Sequence, residues 1–264
     1  MTPQARNDLA DLLVKARTGG AATPQPPAEL EPGSVAEGYA VQALVHDRLE
    51  AAGFGRRTGH KIGCTTPVMQ AYLKIDHPCA GEVFETTVHE HMVELTLSRF
   101  HRVGVECEIA ARLGTDLPET GVPYDRGNVK SAVAALMPGI EIVDDRYAHF
   151  PALSAPVLIA DDFFNVGVVL GAALEDWEAL DLGAIEGEMY VDKVRAGSGR
   201  GSDILGHPLE ALAWLANHRI ALGSPLRAGE FVMLGSVVKT VHFTEPTDVL
   251  IRFEHLGEAR VRFT

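Results

Sequence analysis

Two glutamates stand two residues apart in an otherwise apolar run: Glu106 and Glu108 in "RVGVECEIAARL", residues 102–113. Side chains alternate faces along a strand, so both carboxylates point one way while Val105, Cys107 and Ile109 point the other. A third carboxylate has a similar setting, Glu141 between Ile140 and Ile142 in "MPGIEIVDD". A buried, unpaired carboxylate is costly enough that it would sooner take up a proton. Carboxylates placed together also repel one another. A divalent cation resolves both problems, and three carboxylates with waters suit a hard, oxygen-preferring ion, Mg²⁺ or Mn²⁺. The ordinary alternative for an E-x-E on a strand is a solvated face, and the residues alone leave both readings open.

Lys61 sits in "TGHKIGCTT" beside Ile62 and glycines. A lysine on a short apolar strand is either a desolvated general base or substrate clamp, or an exposed edge-strand residue. His89 and His91 in "VHEHMVE" have metal-ligand spacing but no third ligand nearby, so a surface strand or turn is expected. The glycine-rich "GSGRGSDILG" (197–206) lacks the Lys-Ser/Thr of a phosphate loop. It reads as a mobile loop, either a lid or an anion nest. No G-x-S-x-G elbow, H-E-x-x-H or dinucleotide fingerprint is present.

These side chains need a frame. Residues 5–17 put Leu9, Leu12, Leu13 and Ala16 on one helical face. Pro and Gly then break the pattern over 18–33. Ser34 and Glu37 have capping-box spacing, Val41, Leu44, Val45 and Leu49 follow at helical spacing, and Gly53 stands at the C-cap. Beyond that, short apolar segments bounded by turn residues read as strands. Two helices are expected among them: one around "NVKSAVAALM" (128–137), the other "HPLEALAWLANHRIAL" (207–222) with Pro208 in its first turn. Many strands and few helices predict an α+β, β-rich fold, not a doubly wound sheet.

Composition narrows the class. The chain has 264 residues, 46% hydrophobic and 22% charged, enough to bury one large core. Its net charge of −13, without any basic run, argues against nucleic acid and anionic membrane surfaces as partners. The opening "MTPQARNDLADLL" lacks a signal-peptide pattern, and the longest apolar stretch, "VGVVLGAAL" (166–174), is too short to span a bilayer. Three cysteines (Cys64, Cys79 and Cys107) without a C-x-x-C pair suit a reducing compartment. A soluble cytoplasmic protein is expected.

Taken in order, "AEGYAVQALVHDRL", "GHKIGCTTPVMQAYLKIDHPCAGEVF", "VECEIAARLGTDLP", "MPGIEIVDDRY" and "LGHPLEALAWLANHRIALGSPLRAGEFVMLGS" resemble the 2-keto-4-pentenoate hydratase / 4-oxalocrotonate decarboxylase branch of the fumarylacetoacetate hydrolase superfamily. The likeness runs from about residue 8 to the C-terminus. It implies a β-roll catalytic domain (59–264) behind a helical N-terminal portion (1–58), and self-association into a homo-oligomer. It implies that Glu106, Glu108 and Glu141 bind Mg²⁺ or Mn²⁺ and that Lys61 is the acid-base residue. Asn165, Gly235 and Ser236 are expected to contact a small 2-oxo acid substrate. The implied reaction is addition of water to a 2-hydroxydienoate or 2-oxo-enoate, giving a 4-hydroxy-2-oxo acid, in the catabolism of aromatic-derived compounds. A 4-oxalocrotonate-type decarboxylation and an acylpyruvate C–C hydrolysis stay open, because they share one electron sink with hydration, and so does a metal-binding member without activity. The sequence departs from the family where P-D-[FY]-G is usual: "HPCAG" puts Cys79 in the place of an acid-base Asp and Ala80 in the place of the aromatic ring. A thiol is the poorer proton carrier at neutral pH, so Cys79 is expected to shape the pocket, which the missing ring should widen.

Overall fold

The computed structural model describes residues 1–20, 22–147 and 153–264. Among these, the helices are α1 (Pro3–Gly19), α2 (Val35–Leu49), α3 (Pro67–Leu73), α4 (Arg126–Val129), α5 (Ala155–Ala160) and α6 (Pro208–Ala221). The strands are β1 (Arg57–Gly63), β2 (Cys79–Phe84), β3 (Val88–Glu90), β4 (Met92–Leu95), β5 (Val103–Leu113) and β6 (Val133–Asp144), followed by β7 (Asn165–Leu170), β8 (Glu186–Val191), β9 (Val194–Arg200), β10 (Phe231–His242), β11 (Thr247–Phe253) and β12 (Gly257–Phe263). They form two sheets, one in the order β2-β1-β10-β5-β6-β7-β3 and one in the order β4-β12-β11-β8-β9. The pairs β1/β10, β3/β7 and β4/β12 are parallel, and the other pairs are antiparallel. The expected β-rich α+β architecture is what the chain adopts.

The long β5–β6 pair lies at the middle of the larger sheet and is buried along almost all of its length. A central strand seldom tolerates proline, which cannot donate to a ladder. Pro138 is accommodated in β6 because the β6–β7 ladder ends at Gly139↔Leu170, next to it, and resumes only as an isolated bridge at Leu136↔Leu174. Its carbonyl still accepts from the Gly171 N–H at 2.8 Å.

At the N-terminus, Ser34 caps α2 by accepting from the Glu37 N–H at 3.3 Å. The Glu37 carboxylate takes the Gly33 N–H instead of closing the box on Ser34. Leu9, Leu13, Val41, Val45 and Leu49 are fully buried and pack with Phe84 of β2 and Val157 and Leu158 of α5. Each such side chain contributes ~1.5–3 kcal/mol, which fastens α1 and α2 to the sheet. No helix among the described residues is long and apolar enough to cross a membrane.

Two expectations are corrected. The segment 128–137 is helical only to Val129, with one tight turn over Lys130–Ala132, and Val133 already begins β6. A strand buried on both faces gives a continuous apolar run, which periodicity cannot tell from a buried helix. The glycine-rich 197–206 is no free loop: Gly197–Arg200 ends β9, and a helical turn spans Gly201–Asp203. Its glycines serve close packing, since a Cβ on Gly201 would lie 1.8 Å from the Leu182 carbonyl oxygen. The helix over 207–222 forms as expected, from Pro208, with His207 accepting from the Leu209 N–H at 3.1 Å. His89 lies on β3 and His91 in the turn before β4.

Candidate metal centre and its cavity

Antiparallel register sets Glu106 of β5 opposite Glu141 of β6, and Glu108 opposite Gly139. One oxygen from each of the three carboxylates lies within 4.8 Å of the others. Glu108 and Glu141 are 0% exposed, and Glu106 is half-buried. The first two therefore cannot be a solvated strand face.

Each carboxylate is held by a neighbour. The Asn165 amide donates to Glu141 Oε1 at 2.9 Å, the Gly235 N–H donates to Glu108 Oε2 at 2.8 Å, and the Thr240 hydroxyl donates to Glu106 Oε1. The Gly235 bond depends on an irregular stretch of β10, where the register with β5 shifts between Met233 and Ser236. Such a bulge frees an N–H from the ladder and re-aims it. Gly235 has φ +119°, and a Cβ there would lie 2.6 Å from the Thr65 hydroxyl, so glycine is required.

Glu108 Oε1 and Glu141 Oε2 remain buried without a hydrogen-bond partner. Buried polar atoms are rarely left so. Burial first, then Glu141 and Glu106, push the Glu108 carboxyl well above the usual carboxylate range. Burial, then Glu141, also raise Glu106. Three convergent carboxylates with two orphaned oxygens fit a hard divalent cation.

Lys61 of β1 completes the cluster. Its Nζ lies 3.2 Å from Glu141 Oε1 and 5.6 Å from the centre of the Phe163 ring. Burial alone would depress its proton affinity, but Glu141, then Glu106 and Glu108, more than offset this and hold the ammonium above the ordinary lysine range. Lys61, Glu106 and Ser236 line one cavity of about 1280 Å³.

The other expected site residues take different places around the triad. Asn165 and Gly235 do not line the cavity among the described residues; they orient Glu141 and Glu108. Ser236 does line it, but its hydroxyl is engaged with the backbone of Cys107 and Val238. Cys79 is 0% exposed on β2, and neither it nor Ala80 lines the cavity. The hydrogen bond with Cys64, then burial, raise the Cys79 thiol far above the usual range. The Ala80 backbone is turned to the helical layer instead. Two α2 side chains hold it, with Tyr39 accepting from the Ala80 N–H at 3.0 Å and Gln42 donating to its carbonyl at 2.8 Å. Sequence reading missed Thr240, hidden in the apolar "GSVVKTVHF", and Phe163, whose only signal was the acid-aromatic cluster "ADDFF".

An acidic, cation-ready triad on the central strands of a β-rich fold defines a class, and the chain belongs to it. The chain is a member of the fumarylacetoacetate hydrolase family, whose C-terminal domain model (fumarylacetoacetate hydrolase C-terminal) matches residues 72–264. Within it the chain falls on the 2-keto-4-pentenoate hydratase / 4-oxalocrotonate decarboxylase side. It is 33% identical over 269 residues to 2-keto-4-pentenoate hydratase of Paraburkholderia xenovorans (strain LB400), covering 100% of this chain and 96% of the relative. It is 27% identical over 228 residues to 4-oxalocrotonate decarboxylase of Pseudomonas putida, covering 86% and 85%. The fold matches 4-oxalocrotonate decarboxylase from Pseudomonas putida G7, complexed with magnesium and adipate, at a TM-score of 0.92 and 24% identity over 100% of this chain and 99% of that one. At that identity the match speaks for the fold alone.

Proposed function

We propose that this chain is a divalent-metal-dependent hydro-lyase that adds water to a 2-oxo-enoate, formed from a 2-hydroxydienoate, to give a 4-hydroxy-2-oxo acid. The observation that carries this reading is the convergence of Glu106, Glu108 and Glu141, two of their oxygens orphaned, beside Lys61 in one cavity. The relatives at 31–33% identity named as hydratases favour hydration over decarboxylation.

Glu106, Glu108 and Glu141 would hold the ion, Mg²⁺ or Mn²⁺. When bound, it supplies a Lewis acid for the negative charge that develops on a 2-oxo acid. Water adds at the carbon two away from the oxo carbon, and Lys61 serves the proton due on the carbon between them. Glu141 and the Phe163 ring fix the Lys61 ammonium. Thr240, Gly235 and Asn165 keep the three carboxylates in place. Cys79, sealed behind the cavity wall, carries no proton in this scheme.

The test is incubation of the Mg²⁺-loaded protein with a 2-hydroxydienoate, an oxalocrotonate-like diacid and an acylpyruvate, with products read by mass. Hydration adds one water, decarboxylation removes CO₂, and hydrolysis gives two fragments. Gain of water by the dienoate is expected, and its absence refutes the reading. We also read the chain as a cytoplasmic homo-oligomer with a helical portion over 1–58 and a catalytic portion over 59–264. Its three buried free cysteines support the compartment. A compact monomer by light scattering at micromolar concentration would contradict self-association.

A further inference from the structure

We infer that the cavity takes a 2-oxo acid whose far end is apolar and uncharged, and that Phe163, with Phe164, selects for it. This deepens the proposed function and rests on it.

Lys61 and Glu106 line the cavity, and the acid head would sit beside them. Phe163 lies against Lys61, so a substrate held at that lysine has this ring at its side. The same cavity is lined by the apolar side chains of Phe164, Leu158, Leu73, Met69 and Val68. The volume of about 1280 Å³ exceeds the ~300–1,000 Å³ typical of small-molecule sites, so a five-carbon acid would leave most of it to water. α3 buries none of its residues, and Val68 and Met69 remain 77% and 38% exposed. An apolar chain lying against them removes that surface from water.

The charged groups along the walls disfavour a second carboxylate. Arg102 is already engaged by Asp145 at 3.1 Å, and Asp145 and Asp203 both line the cavity as acids. Among the described residues that line the cavity, the basic groups left for a diacid are Lys239, exposed on β10, and the imidazole of His242.

The position of the two rings is enforced at some cost. Asp162, Phe163 and Phe164 have φ of 52°, 49° and 71°, three consecutive non-glycine residues in the left-handed region. That conformation costs roughly 1–2 kcal/mol per residue and persists only where the surroundings over-determine it. Here the buried Asp162 carboxylate accepts from Arg17 at 2.8 Å, contacts His46 Nε2 at 2.8 Å and takes the Glu82 N–H at 3.3 Å. Arg17 also donates to the Asn165 carbonyl at 2.9 Å, closing the turn from its far side. Helices α1 and α2 thus clamp the turn that points Phe163 at the reacting end.

Calorimetry on the Mg²⁺-loaded full chain tests the inference without requiring turnover. The ligands are saturated acids: pyruvate, 2-oxobutanoate, 2-oxohexanoate and 2-oxooctanoate, against the diacids 2-oxoadipate and 2-oxosuberate. Affinity is expected to rise up to about fourfold per added methylene (~0.8 kcal/mol each), and each diacid to bind at least tenfold more weakly than the alkyl acid of equal length. Phe163→Ala should reduce the gain per methylene to about twofold or less, and Phe163→Leu should retain it. Met69→Arg, on the exposed face of α3 and independent of the strained turn, should swing the preference toward the diacids. Equal or tighter binding of the diacids by the unaltered protein overturns the inference; if Lys239→Ala then removes their advantage, Lys239 is the second anchor. A flat chain-length dependence with pyruvate bound overturns this inference alone. Failure of the Mg²⁺-loaded protein to bind pyruvate at all overturns both it and the proposed function.

Discussion

Replacing Asp162 by asparagine should unfasten the cavity wall at a measurable cost. Asp162 is 0% exposed, and its carboxylate faces Arg17, His46 and the Glu82 N–H. Burial would raise its pKa, but His46 and Arg17 more than offset this and hold it well below the usual carboxylate range. Asparagine removes the charge and turns an NH₂ toward groups that themselves donate. Arg17, with its side chain 5% exposed, then keeps the Asn165 carbonyl at 2.9 Å but has as counter-charge only the more distant Asp161 at 3.9 Å. Removing one partner of a buried pair costs ~3–5 kcal/mol. For a chain of this size each kcal/mol moves Tm by roughly 2–4 °C, so Asp162→Asn should lower Tm by about 6–20 °C at pH 7. The pH dependence has a definite sign. The folded carboxyl titrates below its unfolded value of about 3.9, so the unfolded chain binds the proton first. Stability from this group is therefore fully present above about pH 4 and is lost as pH falls further. Scanning calorimetry at fixed protein concentration, from pH 7 to pH 2.5, should show a flatter acid limb in the variant. Adding Arg17→Met to Asp162→Asn should cost little more, because the partner is already gone. A Tm change under 2 °C, or an unchanged acid limb, would refute the clamp.

The remaining predictions concern the site and one histidine. Saturating Mg²⁺ at a hundred times its Kd should stabilise the unaltered protein by ~2.7 kcal/mol, read as a rise in Tm. Glu106→Ala and Glu108→Gln should abolish that rise and stabilise the metal-free fold by relieving like-charge repulsion. Lys61→Ala should lose turnover while keeping the Mg²⁺-induced rise in Tm, and Lys61→Arg should not rescue it, since a guanidinium does not release its proton in this range; a near-normal rate in either variant would assign the proton to another group. His218, stacked on Trp214 at 5.1 Å, is lowered to about 4 by burial, then by Arg219 and His77. The folded ring stays neutral where the unfolded one, near pH 6.5, takes a proton. His218→Phe should therefore flatten the loss of urea stability between about pH 6.5 and pH 4.

That three carboxylates stand on apolar strands could be read from the sequence because strand alternation is a local rule, while their role as metal ligands came only from the family resemblance. Two-residue spacing places Glu106 and Glu108 on one face, and the flanking isoleucines mark Glu141 as inside. What they face is tertiary. That Glu141 stands opposite Glu106 depends on register, and that Asn165 and Gly235 hydrogen-bond carboxylates depends on where β7 and β10 arrive. The strand beginning at Val133 was misread for a related reason: burial on both faces erases the two-residue period. The Asp162 clamp was invisible because its partners, Arg17 and His46, lie on helices whose polar residues look like ordinary solvated positions. Cys79 was legible as a departure from the family, but its sealed position behind Tyr39 and Gln42 was not.

The placement of the carboxylates on β5 and β6 also bears on how the chain folds. These strands are near neighbours in sequence, so their pairing is among the larger sheet's more local contacts. The counter-charge and the supporting donors come from far away: Lys61 on β1, Gly235 and Thr240 on β10. The β1–β10 pair joins distant segments in parallel, and pairings of that kind form slowly, because loop-closure entropy is spent before any contact returns it. A β5–β6 hairpin formed early would hold its acids together without relief until those strands dock. Electrostatic repulsion then opposes the first pairing and rewards the last, which favours assembly of the sheet as one cooperative event over stepwise growth from its centre.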